Sequence, residues 1–159
     1  MTGMTGDGLL LRPAGPDDLP ALLEMLRRFY AEDRIPLDEP RVRRGLEQLV
    51  ADPALGAVLF AEADGACLGY LVLGWCFSIE QGGRHVLLDE LYLQPDARGR
   101  GLGRALLAAA CDWARERGAE VVRLEVNRHN PRAKTLYLGH GFRDADRDIL
   151  GLALRPEGA

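Results

Sequence analysis

No apolar run in this 159-residue chain approaches the roughly 20 residues that a membrane-spanning helix requires. Residues 1–8 offer neither an apolar stretch nor a small-residue cleavage signature. A soluble, cytoplasmic protein without a membrane partner is expected. Lysine is nearly absent: Lys134 stands beside 19 arginines, a skew along the whole chain, so an arginine reads as solvated surface unless its setting says otherwise. The excess of positive charge needed to track a nucleic-acid backbone is also missing, with a formal net charge of −4 and a pI near 5.4. Only three cysteines occur, Cys67, Cys76 and Cys111. Odd in number and set in apolar segments, they speak against a disulfide framework, a zinc site or a catalytic thiol, and they fit a reducing compartment as small buried hydrophobes. Internal repeats and low-complexity linkers are lacking. The length suits one domain, residues 1–159, large enough for a core without metal or disulfide support, with residues 1–8 expected to be flexible.

Against these absences stands one dense motif. A short apolar strand, Leu91-Tyr92-Leu93, runs through Gln94-Pro95-Asp96-Ala97 into Arg98-Gly99-Arg100-Gly101-Leu102-Gly103-Arg104, which opens a helix. Glycines there leave the backbone approachable, and the first N–H groups of a helix are unpaired at the positive end of its dipole. A phosphate or diphosphate is the ligand such a turn suits. A triphosphate loop would need Lys and Ser or Thr after its last glycine, where Arg104 and Ala105 stand. The dinucleotide spacing G-x-G-x-x-G is not met either.

Hydrophobic periodicity places this motif within an alternating chain. A strand at Leu9–Arg12 precedes a helix from Pro16 to about Ala31, with Leu19, Leu22, Leu23, Leu26 and Phe29 on one face. A second helix, Arg41 to Val50, lies between Pro40 and Pro53. The apolar runs Ala57–Glu62 and Cys67–Phe77 flank Asp64-Gly65, a hairpin signal. A strand at His85–Leu93, a helix from Leu102 to about Arg117 stopped by Gly118, and a strand at Val121–Val126 follow, the two strands parallel through a crossover. A short helix at Pro131–Leu138 and a final strand up to Leu154 complete the order. The fold class is therefore α+β: a mixed, mostly antiparallel twisted sheet flanked by helices.

Arg98-Gly99-Arg100-Gly101-Leu102-Gly103 resembles the R/Q-x-x-G-x-G/A signature of the GNAT superfamily of acyl-CoA-dependent N-acetyltransferases. Asn130-Pro131-Arg132-Ala133-Lys134-Thr135-Leu136-Tyr137 followed by Gly141-Phe142 is similar to the family's second signature, and Asp89-Glu90-Leu91-Tyr92-Leu93 to its central strand. The resemblance covers Asp89 to Phe142 and, by element order, nearly the whole chain. It implies a GNAT-like sheet with a splayed parallel pair, backbone amides from Arg98 to Arg104 on the diphosphate of acetyl-CoA, and a pantetheine arm between Leu91–Leu93 and Val121–Val126. It also implies a β-bulge near Leu91-Tyr92 that frees N–H groups for the acetyl carbonyl. Asn130 would anchor the pantetheine amide or the adjoining backbone, or serve only as the N-cap before Pro131. Leu138-Gly139-His140 departs from the bulkier or basic residues of similar proteins; Gly139 weakens the short helix, which is expected to fray or adjust on coenzyme binding.

Amine acetylation requires proton loss from an ammonium, stabilisation of an oxyanion and a proton for the departing thiolate. The resemblance gives Tyr137 the last role. For the base, Asp89 and Glu90 stand adjacent in an apolar strand, where burial is costly unless they are used or paired, and should leave opposite faces. The resemblance makes Asp89 the first choice, since it falls where several family members place the residue that accepts the amine proton; Glu90 is the second and His85 the third, and a pair that merely holds the bulge is the bland alternative. Glu32, Asp33, Asp38, Glu39 and Glu80, with Asp89 and Glu90, favour a cationic amine, small or peptidic. The implied activity is direct acetyl transfer in a ternary complex, with acetyl-CoA as cosubstrate and no metal. A second copy pairing through the C-terminal strand is a further expectation. Two other readings stand beside it: a non-catalytic acyl-CoA-binding domain, and an unrelated nucleotide-binding α/β enzyme.

Overall fold

Six strands form one sheet in the order β1-β2-β3-β4-β5-β6, in a computed structural model that describes residues 3–4 and 8–155. They are β1 (Gly3–Met4), β2 (Leu10–Pro13), β3 (Gly56–Ala63), β4 (Ala66–Ser78), β5 (Gly83–Leu93) and β6 (Val122–Leu124). Every neighbour is antiparallel except β5 and β6, which run parallel. The helices are α1 (Leu19–Glu32), α2 (Glu39–Ala51), α3 (Leu102–Glu116) and α4 (Pro131–His140). The expected α+β sheet with its single parallel pair is the one found. Of the first eight residues, Gly3–Met4 pair with β2 rather than hanging free; residues 1–2 and 5–7 lie outside the described residues.

Local chemistry explains most boundaries. Asp64 (φ 51°) and Gly65 (φ 76°) form the two-residue link between β3 and β4, both left-handed as a primed hairpin turn requires. The Asp38 carboxylate accepts from the Arg41 amide at 3.2 Å, so α2 starts at Glu39 and takes Pro40 into its first turn, where a missing N–H does no harm. Gly118 (φ 83°) ends α3, with its own amide on the Arg115 carbonyl and that of Ala119 on the Ala114 carbonyl.

The sheet is packed on both faces. Leu11, Leu59, Leu71, Leu73, Val86 and Leu88 meet Leu106, Leu107 and Ala110 of α3 on one side. Val58, Phe60, Tyr70, Val72 and Tyr92 meet Leu22, Leu23 and Leu26 of α1 and Leu46 of α2 on the other.

Two strand expectations are corrected. The strand placed at Val121–Val126 is regular only over Val122–Leu124: the ladder with β5 ends at Leu88↔Leu124, and Glu125–Val126 have no ladder partner. The strand expected up to Leu154 is absent: segment 142–155 has no ladder partner, and Ile149, Leu150, Leu152 and Leu154 are 68–92% exposed.

Candidate active site

The site begins with an irregularity in β5. Val72 of β4 pairs with Glu90 and Leu73 with Leu88, which leaves Asp89 as the extra residue of a β-bulge. The bulge thus lies at Asp89, not at Leu91-Tyr92, because register is set by the partner strand β4. Its effect is visible in the packing. Before it Val86 and Leu88 face α3; after it Leu91 and Leu93 do, while Tyr92 faces α1. A one-residue shift has inverted the alternation. The rule that adjacent residues leave opposite faces therefore fails here, and Asp89 and Glu90 line the same open cleft of about 1670 Å³.

The two carboxylates have different surroundings. Glu90 accepts from the Tyr70 hydroxyl at Oε1 and the Tyr30 hydroxyl at Oε2, each at 2.8 Å. Burial raises its pKa, the two phenols oppose that shift, and the Asp89 charge adds to it. Burial beside Glu90 also raises both phenols, so they stay protonated as donors. Asp89 is bonded to no side chain among the described residues. Its carboxylate opens into the cleft, but the walls around it displace enough water to push its pKa up. His85, the third candidate, is 5% exposed at the start of β5, with Nδ1 3.4 Å from the Gly83 carbonyl. It lies outside the cleft.

Past Leu88 the β5 edge has no partner in β6, so the sheet splits from Asp89 to Leu93. The glycine turn lies at the end of this split. Gly99 and Gly101 both have φ 76°, a conformation that side chains rarely adopt, and Gly101 caps α3. Their role is conformational, since a Cβ at either would meet nothing within 4 Å. Gly103 differs: a Cβ there would lie 3.4 Å from Leu136 of α4 and 3.8 Å from Leu93. The first intrahelical bond runs from the Ala105 amide to the Gly101 carbonyl, leaving the amides of Leu102, Gly103 and Arg104 as unpaired donors at a helix start that carries no acidic residue. These fit a diphosphate. Arg98 fits it less well than expected: its amide reaches the Pro95 carbonyl at 3.3 Å. Its guanidinium holds the Leu93 carbonyl at 2.9 Å and Glu32 at 2.7 Å. Arg100 bonds the Asp96 carbonyl at 3.2 Å.

Gly101→Val would force a branched side chain into left-handed backbone, at a cost of about 1–3 kcal/mol. If that strain is relieved by deforming the turn, acetyl-CoA affinity in calorimetry should fall about 5- to 150-fold.

On the far lip, Asn130 caps α4 by accepting the Ala133 amide at 3.1 Å, so the capping reading is met. Tyr137 is half-buried, and its phenol is pushed up by burial first and the Asp33 charge second. A Schellman closure fixes it: Gly141 (φ 110°) gives its amide to Leu138 and Phe142 to Tyr137. The Phe142 ring lies edge-on to Tyr137 at 6.1 Å. The helix continues through Gly139 to its stop at Gly141.

Three residues were not singled out for these roles by the sequence: Tyr30 and Asp33, which line the cleft, and Tyr70, which is buried in the core and reaches Glu90 from there. An acidic residue inside an apolar strand signals that donors must exist, but not where. The acidic residues read as a cationic-acceptor field are largely engaged. Glu32 pairs with Arg98, Glu39 with Arg27, Glu80 with Arg147, and Asp38 caps α2.

These elements define an α+β fold in which a split parallel strand pair meets an anion-suited helix start. Residues 19–142 match the Acetyltransferase (GNAT) family, and the chain belongs to that family. It is 36% identical over 87 residues to YhfO of Bacillus subtilis (strain 168), an uncharacterized N-acetyltransferase, covering 55% of this chain and 58% of YhfO. It is 36% identical over 147 residues to mycothiol acetyltransferase of Clavibacter michiganensis, covering 89% of this chain and 45% of that protein. The chain thus spans about half the length of these curated relatives. Its fold superposes with a TM-score of 0.76 on a predicted acetyltransferase from Clostridium acetobutylicum solved with acetyl-CoA, at 20% identity over 92% of this chain and 96% of that one.

Proposed function

We propose that residues 1–159 form a single N-acetyltransferase domain that moves an acetyl group from acetyl-CoA directly to a primary amine within a ternary complex. The observation that carries this reading is the meeting, along one split in the sheet, of an amide-lined helix start, a bulged carboxylate and a half-buried phenol. Acetyl-CoA supplies the activated thioester when bound. The amides of Leu102, Gly103 and Arg104 hold its diphosphate, Leu91–Leu93 present the open strand edge, and Asn130 secures the opposite lip.

Asp89 is the base, because it combines an open carboxylate with a raised pKa. Glu90, with both oxygens occupied by phenols, is the hub that fixes the bulge and adds negative charge to the acceptor wall. Tyr137 gives a proton to the departing thiolate; burial keeps that phenol protonated at neutral pH. The acceptor is a small cationic amine or a peptide amine, a preference that rests on Asp89 and Glu90 now that the other acids have partners. Three unpaired cysteines fit a reducing cytoplasm. Pairing of two copies along segment 142–155 draws on its exposed Ile149, Leu150, Leu152 and Leu154; sedimentation at rising concentration checks it.

Titration with acetyl-CoA should release heat and raise the melting temperature, and a panel of cationic, neutral and anionic amines should show thiol release, greatest with the cations. No binding would refute the reading. Binding without thiol release on any amine would favour a non-catalytic acyl-CoA-binding domain, and equal rates across the panel would remove the cationic preference.

A further inference from the structure

Two consecutive acidic residues at the end of α1 reach opposite lips of the split between β5 and β6. Glu32 accepts from Arg98 of the glycine turn at 2.7 Å. Asp33 accepts through Oδ2 from Asn127 Nδ2 at 2.5 Å and through Oδ1 from Asn130 Nδ2 at 3.3 Å. His129 Nε2 lies 3.8 Å from the same Oδ1. Among the described residues these are the side-chain hydrogen bonds that join α1 to the turn before α4. The Asp33 side chain is only 15% exposed, so water competes poorly for it.

The Asn127–Asn130 turn is closed by the Asn130 amide on the Asn127 carbonyl at 2.9 Å. The Oδ1 of Asn130 is committed to the Ala133 amide, and Asp33 takes the other half of that side-chain amide. Asn130 is thereby fixed at both ends, and with it the first turn of α4. Tyr137 stands two turns along the same helix.

We propose that Asp33 is a positioning residue for acetyl transfer: through Asn127 and Asn130 it sets the start of α4, and so the placing of the Tyr137 hydroxyl across the split. The proposal rests on the N-acetyltransferase reading above. Adjacent Glu32 holds the other lip, so the end of α1, which also carries Tyr30 into the acceptor wall, spans the site as a brace. Misplacing a reacting group by about 1 Å costs up to roughly 10²-fold in rate, and the loss of two hydrogen bonds to a carboxylate is enough to release the turn.

The test is a double-mutant cycle in the full chain, with Asp33→Ala and Tyr137→Phe separately and together, read as kcat and KM. Asp33→Ala should lower kcat of the otherwise unaltered chain by about 10- to 100-fold while changing KM for the amine less than about threefold. In the Tyr137→Phe background the same change should cost less than about threefold. Asp33→Asn, which can still accept one of the two bonds, should lie between. Hydrogen exchange of amides 127–134 should quicken in Asp33→Ala, with or without coenzyme A. Equal losses in both backgrounds would overturn the proposal, as would an effect confined to KM for the amine, which would make Asp33 an acceptor ligand. Unaltered kcat beside quickened exchange would reduce Asp33 to a structural role. If the unaltered chain binds no acetyl-CoA, the enzymatic reading falls with it; if it binds and transfers normally in Asp33→Ala, only the brace does.

Discussion

Tyr137→Phe is expected to lower kcat by about 10²–10⁴-fold, the range over which one positioned proton donor acts, while leaving acetyl-CoA affinity within a few-fold of the unaltered chain. The reason lies in where the phenol stands. Burial on α4 raises its pKa, and the charge of Asp33 raises it further, so at neutral pH the hydroxyl is a protonated donor. A thiolate leaving into that setting needs a proton or a strong hydrogen bond. The Phe variant keeps the ring and its packing on Phe142, so the melting temperature should scarcely move. Steady-state kinetics together with calorimetry of acetyl-CoA binding checks the expectation, and a kcat within threefold of the unaltered chain would reduce Tyr137 to a packing residue.

Asp89→Asn should cost about 10²–10³-fold in kcat/KM for the amine and also change the shape of the pH profile. A base acts when deprotonated. Desolvation raises the Asp89 pKa, so the acidic limb of activity should lie above the ordinary carboxylate range and disappear in the Asn variant. Stability should move the other way. A carboxyl whose folded pKa exceeds its unfolded value contributes stability that is complete below the unfolded pKa and is lost as pH rises through the folded pKa. At neutral pH the charged Asp89 therefore weighs against the fold, and Asp89→Asn should melt no lower than the unaltered chain. Glu90→Ala makes the contrast: it leaves the hydroxyls of Tyr30 and Tyr70 without their acceptor and should destabilise by about 1–3 kcal/mol. If instead Asp89→Asn lost stability while keeping its pH profile, the residue would be holding the bulge rather than moving a proton.

Much of the chain's framework was legible because it rests on local rules. The Asp64-Gly65 turn, the left-handed stop at Gly118, the apolar faces of α1 and α3 and the glycine-led start of α3 each depend on a few neighbouring residues. The bulge did not yield to the same reasoning. Its place depends on how β4 registers against β5, and a one-residue difference there moved the break from Leu91-Tyr92 to Asp89 and brought Asp89 and Glu90 into one cleft. The donors to Glu90 come from 20 and 60 residues away, a distance no local pattern encodes. Periodicity was misleading at the C-terminus, where alternating apolar residues met no partner strand.

By itself, then, the order of residues determined the elements up to α4, the approachable helix start after Gly101 and the chemical kinds of group available to a site, but not the fate of the segment after Gly141. The tertiary structure decided which carboxylate stays open, which is tied to two phenols, and how the end of α1 reaches both lips of the split. Turns and caps follow from backbone torsions within a few residues, but the environment of a charge depends on atoms gathered from the whole chain.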